Sequence, residues 1–85
     1  MSPDDIYQKL RDRPFEPFRV HLSDGRSFDV PHPERAVIGG HRMTIAIGGD
    51  PDRVPDRLID CDPYHIVTVE PLNGKSARNG GKRKR

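Results

Sequence analysis

The sequence contains only one cysteine and no long apolar run, and each shortage argues against a class of protein. The lone Cys61 has no partner for an internal disulfide, which argues against a disulfide-stapled secreted fold and agrees with a reducing compartment. No apolar run approaches the ~20 residues that span a bilayer. The acidic start MSPDDIYQKL lacks the basic and apolar regions of a signal peptide. We therefore predict a cytoplasmic protein with no membrane contact.

Small size and turn-rich composition favour a short-stranded β fold. The chain has 85 residues, 32% of them hydrophobic, with nine prolines and eight glycines. This composition suits short strands and tight turns better than a helical bundle. A chain of this length buries a limited fraction of its surface, so we expect one domain supplemented by homo-oligomerisation.

Residues 18–30, FRVHLSDGRSFDV, contain two alternating apolar runs joined by Asp24-Gly25, which predicts a β-hairpin. A two-residue loop would place the apolar side chains of the two runs on opposite faces. A three-residue loop ending at Gly25, with this glycine in the left-handed region, pairs Val20 with Phe28 instead. That register gives one apolar face, made of Phe18, Val20, Leu22, Phe28 and Val30. Arg19, His21, Ser27 and Asp29 then share the solvent face.

Capping residues and apolar periodicity predict the remaining elements. Ser2-Pro3 followed by two aspartates predicts a helix start, and Pro14 predicts its end near Asp12. So short a helix must dock on the sheet, with Phe15 in the contact. Further strands are predicted at residues 36–38, 42–47, 57–61 and 65–71, with a break at Pro31 and Pro33.

Charge is distributed unevenly along the chain. Residues 1–72 hold nine Lys and Arg against thirteen Asp and Glu, a formal charge of −4. Residues 73–85, here named the basic tail, hold six Lys and Arg and no acid, a formal charge of +6. We therefore predict a folded domain over 1–72 and a disordered tail over 73–85. Any attraction to nucleic acid must depend on the tail or on a local patch.

Two stretches of the sequence resemble the Sm and Hfq family of small β-barrels. LSDGRSFDV resembles that family's first turn and second strand, and LIDCDPYHIVTVEP resembles its last two strands. The resemblance implies a mainly β fold with one short N-terminal helix. It also implies a small, strongly bent antiparallel barrel, Sm-like or SH3-like, of five to six strands. The PFxPF and LSDGRxFxVxHPE pattern also resembles a group of short uncharacterised bacterial proteins, which implies no function.

The sequence departs from the Hfq pattern where that family binds uridine. The aromatic, lysine and histidine of the family's link between the last two strands correspond to Asp62, Pro63 and Tyr64 here. Pro31-His32-Pro33 also breaks the second strand, which is continuous in the family. The resemblance therefore supports a shared fold better than it supports a shared RNA site.

The sequence contains no catalytic, cofactor or metal signature. The four histidines lack zinc-site spacing, and GDPDRVPD lacks the closing glutamate of a calcium loop. Cys61 lies between Asp60 and Asp62, which disfavour its thiolate, so a small buried side chain is the better interpretation. We expect a protein that is not an enzyme and needs no cofactor.

These observations favour an oligomeric, non-enzymatic protein that binds nucleic acid, with RNA preferred over DNA. The contacts are expected chiefly in the basic tail, with a smaller contribution from the barrel: Lys75, Arg78, Lys82, Arg83, Lys84 and Arg85, then Arg19, His21 and Tyr64. The alternative is a protein-interaction module that offers a strand edge or an apolar groove to a partner. A solubilising role is the alternative interpretation of the basic tail.

Overall fold

The structure, a computed structural model, describes residues 1–50 and 52–72. Helix α1 spans Pro3–Arg11 and is followed by six strands. These are β1 Phe18–Leu22, β2 Ser27–Val30, β3 Ala36–Ile38, β4 Met43–Ile47, β5 Arg57–Cys61 and β6 Ile66–Pro71. Two single-turn 3₁₀ helices, Pro33–Arg35 and Pro63–His65, precede β3 and β6. The expectation of a mainly β chain with one N-terminal helix is confirmed.

The strands form two antiparallel sheets of three strands each, in the orders β2-β1-β6 and β3-β4-β5. No closed barrel forms within residues 1–50 and 52–72. The break between β2 and β3 has a local cause, because Pro31 has no N–H to donate to a ladder and Pro33 begins the first 3₁₀ helix.

The hairpin has the predicted register. Val20 lies opposite Phe28 and Phe18 opposite Val30. Gly25 closes the three-residue loop at φ +94°, and its N–H donates to the carbonyl of Leu22. Four of the five predicted apolar side chains are buried, and Phe28 packs half-buried against them.

Helix α1 begins and ends where the sequence predicts. The Ser2 hydroxyl accepts a hydrogen bond from the N–H of Asp5, and Asp12 is the C-cap residue. Ile6 and Leu10 are buried in the core, and Phe15 packs beside it with its ring centroid 6.0 Å from that of Phe18. The predicted docking of the helix is therefore confirmed.

One core joins the helix to both sheets. The buried apolar side chains are Ile6, Leu10, Phe18, Val20, Leu22, Val30, Ala36, Met43, Ile45 and Ile66. The predicted strands differ from the observed ones only at two ends. β4 begins at Met43 rather than at Arg42, and β6 begins at Ile66 because His65 belongs to the second 3₁₀ helix. No helix in the described part of the chain has the length and apolarity to cross a membrane.

Candidate nucleic-acid interface

Arg19 lies on the outer face of β1, where it forms an ion pair with β2. Its Nε donates to Oδ1 of Asp29 at 2.6 Å, and a terminal nitrogen donates to Oδ2 at 3.3 Å. The register places Arg19 directly opposite Asp29, so the pair is a consequence of the hairpin pairing. This hydrogen bond, followed by the attraction of the Asp29 charge, raises the pKa of the Arg19 guanidinium. Arg19 therefore reaches solvent as one half of a neutralised pair.

His21 lies two residues along the same face and faces the other neighbouring strand. Its Nε2 lies 2.8 Å from Oε1 of Glu70 on β6, and both side chains are partly exposed. The outer face of the first sheet thus alternates basic and acidic side chains across three strands. A phosphate approaching either Arg19 or His21 must compete with a carboxylate already in place.

Tyr64 lies on the second 3₁₀ helix, at the hairpin end of β6. The Asp62 carboxylate accepts a hydrogen bond from the Tyr64 N–H and caps this helix. The Tyr64 side chain is 60% exposed, which leaves its ring open for stacking against a base. Within the described ranges, no hydrogen bond or ion pair joins the Tyr64 side chain to Arg19 or His21.

The six predicted tail contacts lie outside the described residues. They are Lys75, Arg78, Lys82, Arg83, Lys84 and Arg85. The predicted tail contacts and the domain boundary after Leu72 therefore stay predictions. Of the predicted contacts, the structure describes only Arg19, His21 and Tyr64. It places Arg19 and His21 on one face of the first sheet.

Cys61 is half-buried, where the sequence favoured a buried side chain. Burial is the largest cause that raises the pKa of its thiol. The positive charge of Arg26 lowers this pKa, and the negative charges of Asp62 and Asp60 raise it by smaller amounts. The two aspartates thus raise the pKa of the thiol, as the sequence predicted, but burial raises it more.

A contact that no sequence pattern indicated joins the hairpin loop to the second 3₁₀ helix. The Ser23 hydroxyl lies 3.0 Å from Nδ1 of His65, and the Ser23 N–H donates to the His65 carbonyl at 2.8 Å. Forty-two residues separate the two positions, so no local pattern links them. No carboxylate in the described part is hydrogen-bonded to His65, and the contact fastens the loop to the helix.

Arg35 is 7% exposed, and no sequence pattern indicated its role. Its guanidinium donates to the carbonyls of Gly48 and Asp50, at 3.1 and 2.7 Å. Backbone carbonyls leave no signature in a sequence, so the pattern around Arg35 gave no signal. Among residues 1–50 and 52–72, no group of three or more His, Cys, Asp or Glu side chains has a geometry that could hold a metal ion.

No family model matches the chain, and no curated protein or solved structure matches it significantly. The resemblance to the Sm and Hfq family therefore stays a prediction from the sequence.

Proposed function

We propose that this chain is a non-enzymatic nucleic-acid-binding protein, with RNA as its preferred ligand and the basic tail as its main contact. The observation that carries the proposal is the separation of charge along the chain. The formal charge is −4 over residues 1–72 and +6 over residues 73–85. Because long-range attraction to phosphate depends on net positive charge, the tail has to supply most of it.

The ion pairs of the body support this division of roles. Arg19 and Arg26 pair with Asp29 and Asp24, and His21 contacts Glu70. These contacts offset cationic charge of the body, so Arg19, His21 and the exposed ring of Tyr64 are secondary contacts. Their role is to add short-range contacts once the tail has brought the RNA to the surface.

The strand order is compatible with an Sm-like small barrel, and we propose that the chain has this type of fold. β6 returns to pair with β1, and a single 3₁₀ turn links β5 to β6. β5 and β6 each pair with one neighbour in the described part, which leaves an outer edge on each. We propose that these edges pair between copies of the chain, because exposed edges are seldom left uncovered.

The experiment that tests the nucleic-acid function compares the full-length chain with a variant in which all six tail cations are glutamine. Fluorescence anisotropy measures the binding of a labelled single-stranded RNA to each protein at physiological ionic strength. We expect the variant to lose most of the affinity. A variant with Arg42, Arg53 and Arg57 replaced by glutamine serves as the control for loss of positive charge in the body. Equal affinity of the wild type and the tail variant would contradict the proposal.

A protein-interaction module is the second candidate function, and one observation favours it. Val37 and Leu58 are 69% and 66% exposed on the outer side of the second sheet. They line an open groove of about 320 Å³ together with Ala46 and Pro55. Apolar side chains grouped on a surface are typical of protein contacts. Under this alternative, neutralising the tail leaves partner binding unchanged, whereas Leu58→Asp abolishes it.

A further inference from the structure

A second groove, of about 480 Å³, lies between the end of the hairpin and the turn that follows β4. Three basic side chains line it: Arg19, His32 and Arg35. Phe28, Pro31 and Ile47 supply an apolar wall. The volume falls in the range of ~300–1,000 Å³ that is usual for small-molecule sites. The groove therefore combines cationic groups with a surface on which a flat ring can lie.

The guanidinium of Arg35 is the unusual group in this groove. Arg35 as a whole residue is 7% exposed, and the guanidinium donates to two neutral backbone carbonyls. No carboxylate within the described residues lies at ion-pair distance from it. Burying a charge without a counter-charge is costly, because carbonyl dipoles replace only part of the lost hydration. An anion bound in the groove would supply the missing counter-charge.

Arg19 provides a second guanidinium on the rim of the same groove. One carboxylate, that of Asp29, lines the groove and is held by Arg19. The two guanidinium groups and one carboxylate give the groove a net positive charge, without any contribution from the imidazole of His32. Guanidinium groups bind phosphate oxygens through paired hydrogen bonds, which suits them to a phosphate with several free oxygens.

We propose that this groove binds a phosphate monoester that carries a planar ring, that is, a nucleotide. The phosphate lies toward Arg19 and Arg35, and the ring lies against Phe28 and Pro31. The ligand is either a free nucleotide or the 5′-terminal nucleotide of an RNA, which offer the same chemistry. The terminal form rests on the proposed RNA-binding function, whereas the free form does not.

The test begins with the full-length, isotope-labelled protein and uridine 5′-monophosphate as the probe. We expect saturable shifts of the amide resonances of Gly48, Gly49 and Asp29 as the nucleotide is added. Uridine and inorganic phosphate should each bind at least about tenfold more weakly, since each lacks one half of the contact. Binding of uridine equal to that of the nucleotide would overturn the phosphate contact. Equal binding of inorganic phosphate would overturn the ring contact.

A pair of matched variants separates this site from general charge effects. Ser27→Glu places a carboxylate in the groove from an exposed position, whereas Thr68→Glu adds the same charge to the same sheet outside it. We expect Ser27→Glu to weaken nucleotide binding at least about tenfold and Thr68→Glu to change it by less than about twofold. Equal effects of the two variants would overturn the proposal. Both positions are exposed, so neither variant depends on replacing the buried Arg35.

A comparison of two short single-stranded RNAs, one with a 5′-phosphate and one with a 5′-hydroxyl, identifies the source of the nucleotide. If the terminus is the ligand, wild type prefers the phosphorylated RNA and Ser27→Glu loses that preference while it keeps its tail-dependent affinity. If uridine monophosphate binds and no such preference exists, the ligand is the free nucleotide. Failure of tail-dependent RNA binding would leave the mononucleotide titration unaffected, so the two proposals fail separately.

Discussion

Neighbouring carboxylates limit the chemistry of individual side chains in the described part. Asp29 holds Arg19, Glu70 contacts His21, and Asp60 and Asp62 flank Cys61. Exposed ion pairs stabilise a protein by only about 0–1 kcal/mol, so a phosphate can displace Asp29 or Glu70 at low cost. Arg19 and His21 are thus accessible as secondary contacts, although each contacts a carboxylate in the free protein. Within the residues that the structure describes, the Cys61 thiol, in contrast, forms no ion pair from which a phosphate could displace a carboxylate.

The thiol of Cys61 is predicted to be unreactive at neutral pH. Burial and the two aspartates raise its pKa, so the fraction of thiolate near pH 7 is lower than for a free cysteine. The rate of alkylation by iodoacetamide should rise with pH, and the midpoint of the rise should lie above the cysteine pKa of about 8.5 found in model peptides. Rapid alkylation at neutral pH, with unfolding excluded by circular dichroism, would contradict this prediction. A Cys61→Ser variant provides the unlabelled control.

The hairpin is the element whose geometry depends most on one residue. Gly25 has φ +94° with open space around its Cα, and Gly40 has equally open space without a positive φ. The two glycines therefore differ in backbone conformation rather than in packing.

Gly25→Ala is predicted to lower the free energy of unfolding by about 1–2 kcal/mol, because alanine is strained in the left-handed region. Gly40→Ala should change it by less than about 0.5 kcal/mol. Urea denaturation followed by circular dichroism measures both values. Equal stability of the two variants would mean that the loop adopts a different conformation.

Local patterns in the sequence sufficed to predict the helix, the hairpin register and all six strands, because caps, alternation and turn residues act over a few positions. The two 3₁₀ helices were missed because each is a single turn with no periodicity. Arg35 was missed for a different reason. Its acceptors lie 13 and 15 residues further along the chain and are backbone atoms, so only the fold brings them together.

The whole molecule depends on a core that both sheets and the helix share. Val20 is fully buried at the centre of β1, next to Phe28 and Val69. Because the domain is small, its free energy of unfolding is small, and the loss of one core side chain removes a large fraction of it.

Val20→Asp is predicted to unfold the protein, since an unpaired buried charge costs several kcal/mol. Val54→Asp is the matched control, because the Val54 side chain is 84% exposed and the variant should keep the native melting temperature. Thermal melts followed by circular dichroism distinguish the two. A cooperative melt of Val20→Asp at the native temperature would contradict the predicted core.

Assembly is predicted from the uncovered outer edges of β5 and β6. Light scattering at tens of micromolar protein should give a mass above that of one chain. Leu58→Arg, which places a charge on the exposed side of β5, should yield monomers, whereas Val54→Arg should not. A monomeric wild type would contradict both the assembly and the proposed Sm-like architecture.

The salt dependence of RNA binding is the sharpest test of a contact made by the basic tail, because it counts the cations that contact phosphate. If all six tail cations engage a single-stranded RNA, the logarithm of the binding constant should fall against the logarithm of salt concentration with a slope of about −4. The variant with six glutamines in the tail should show weak binding and a slope near zero. A variant that retains the wild-type affinity and slope would contradict binding through the tail and assign RNA binding to the surface of residues 1–72.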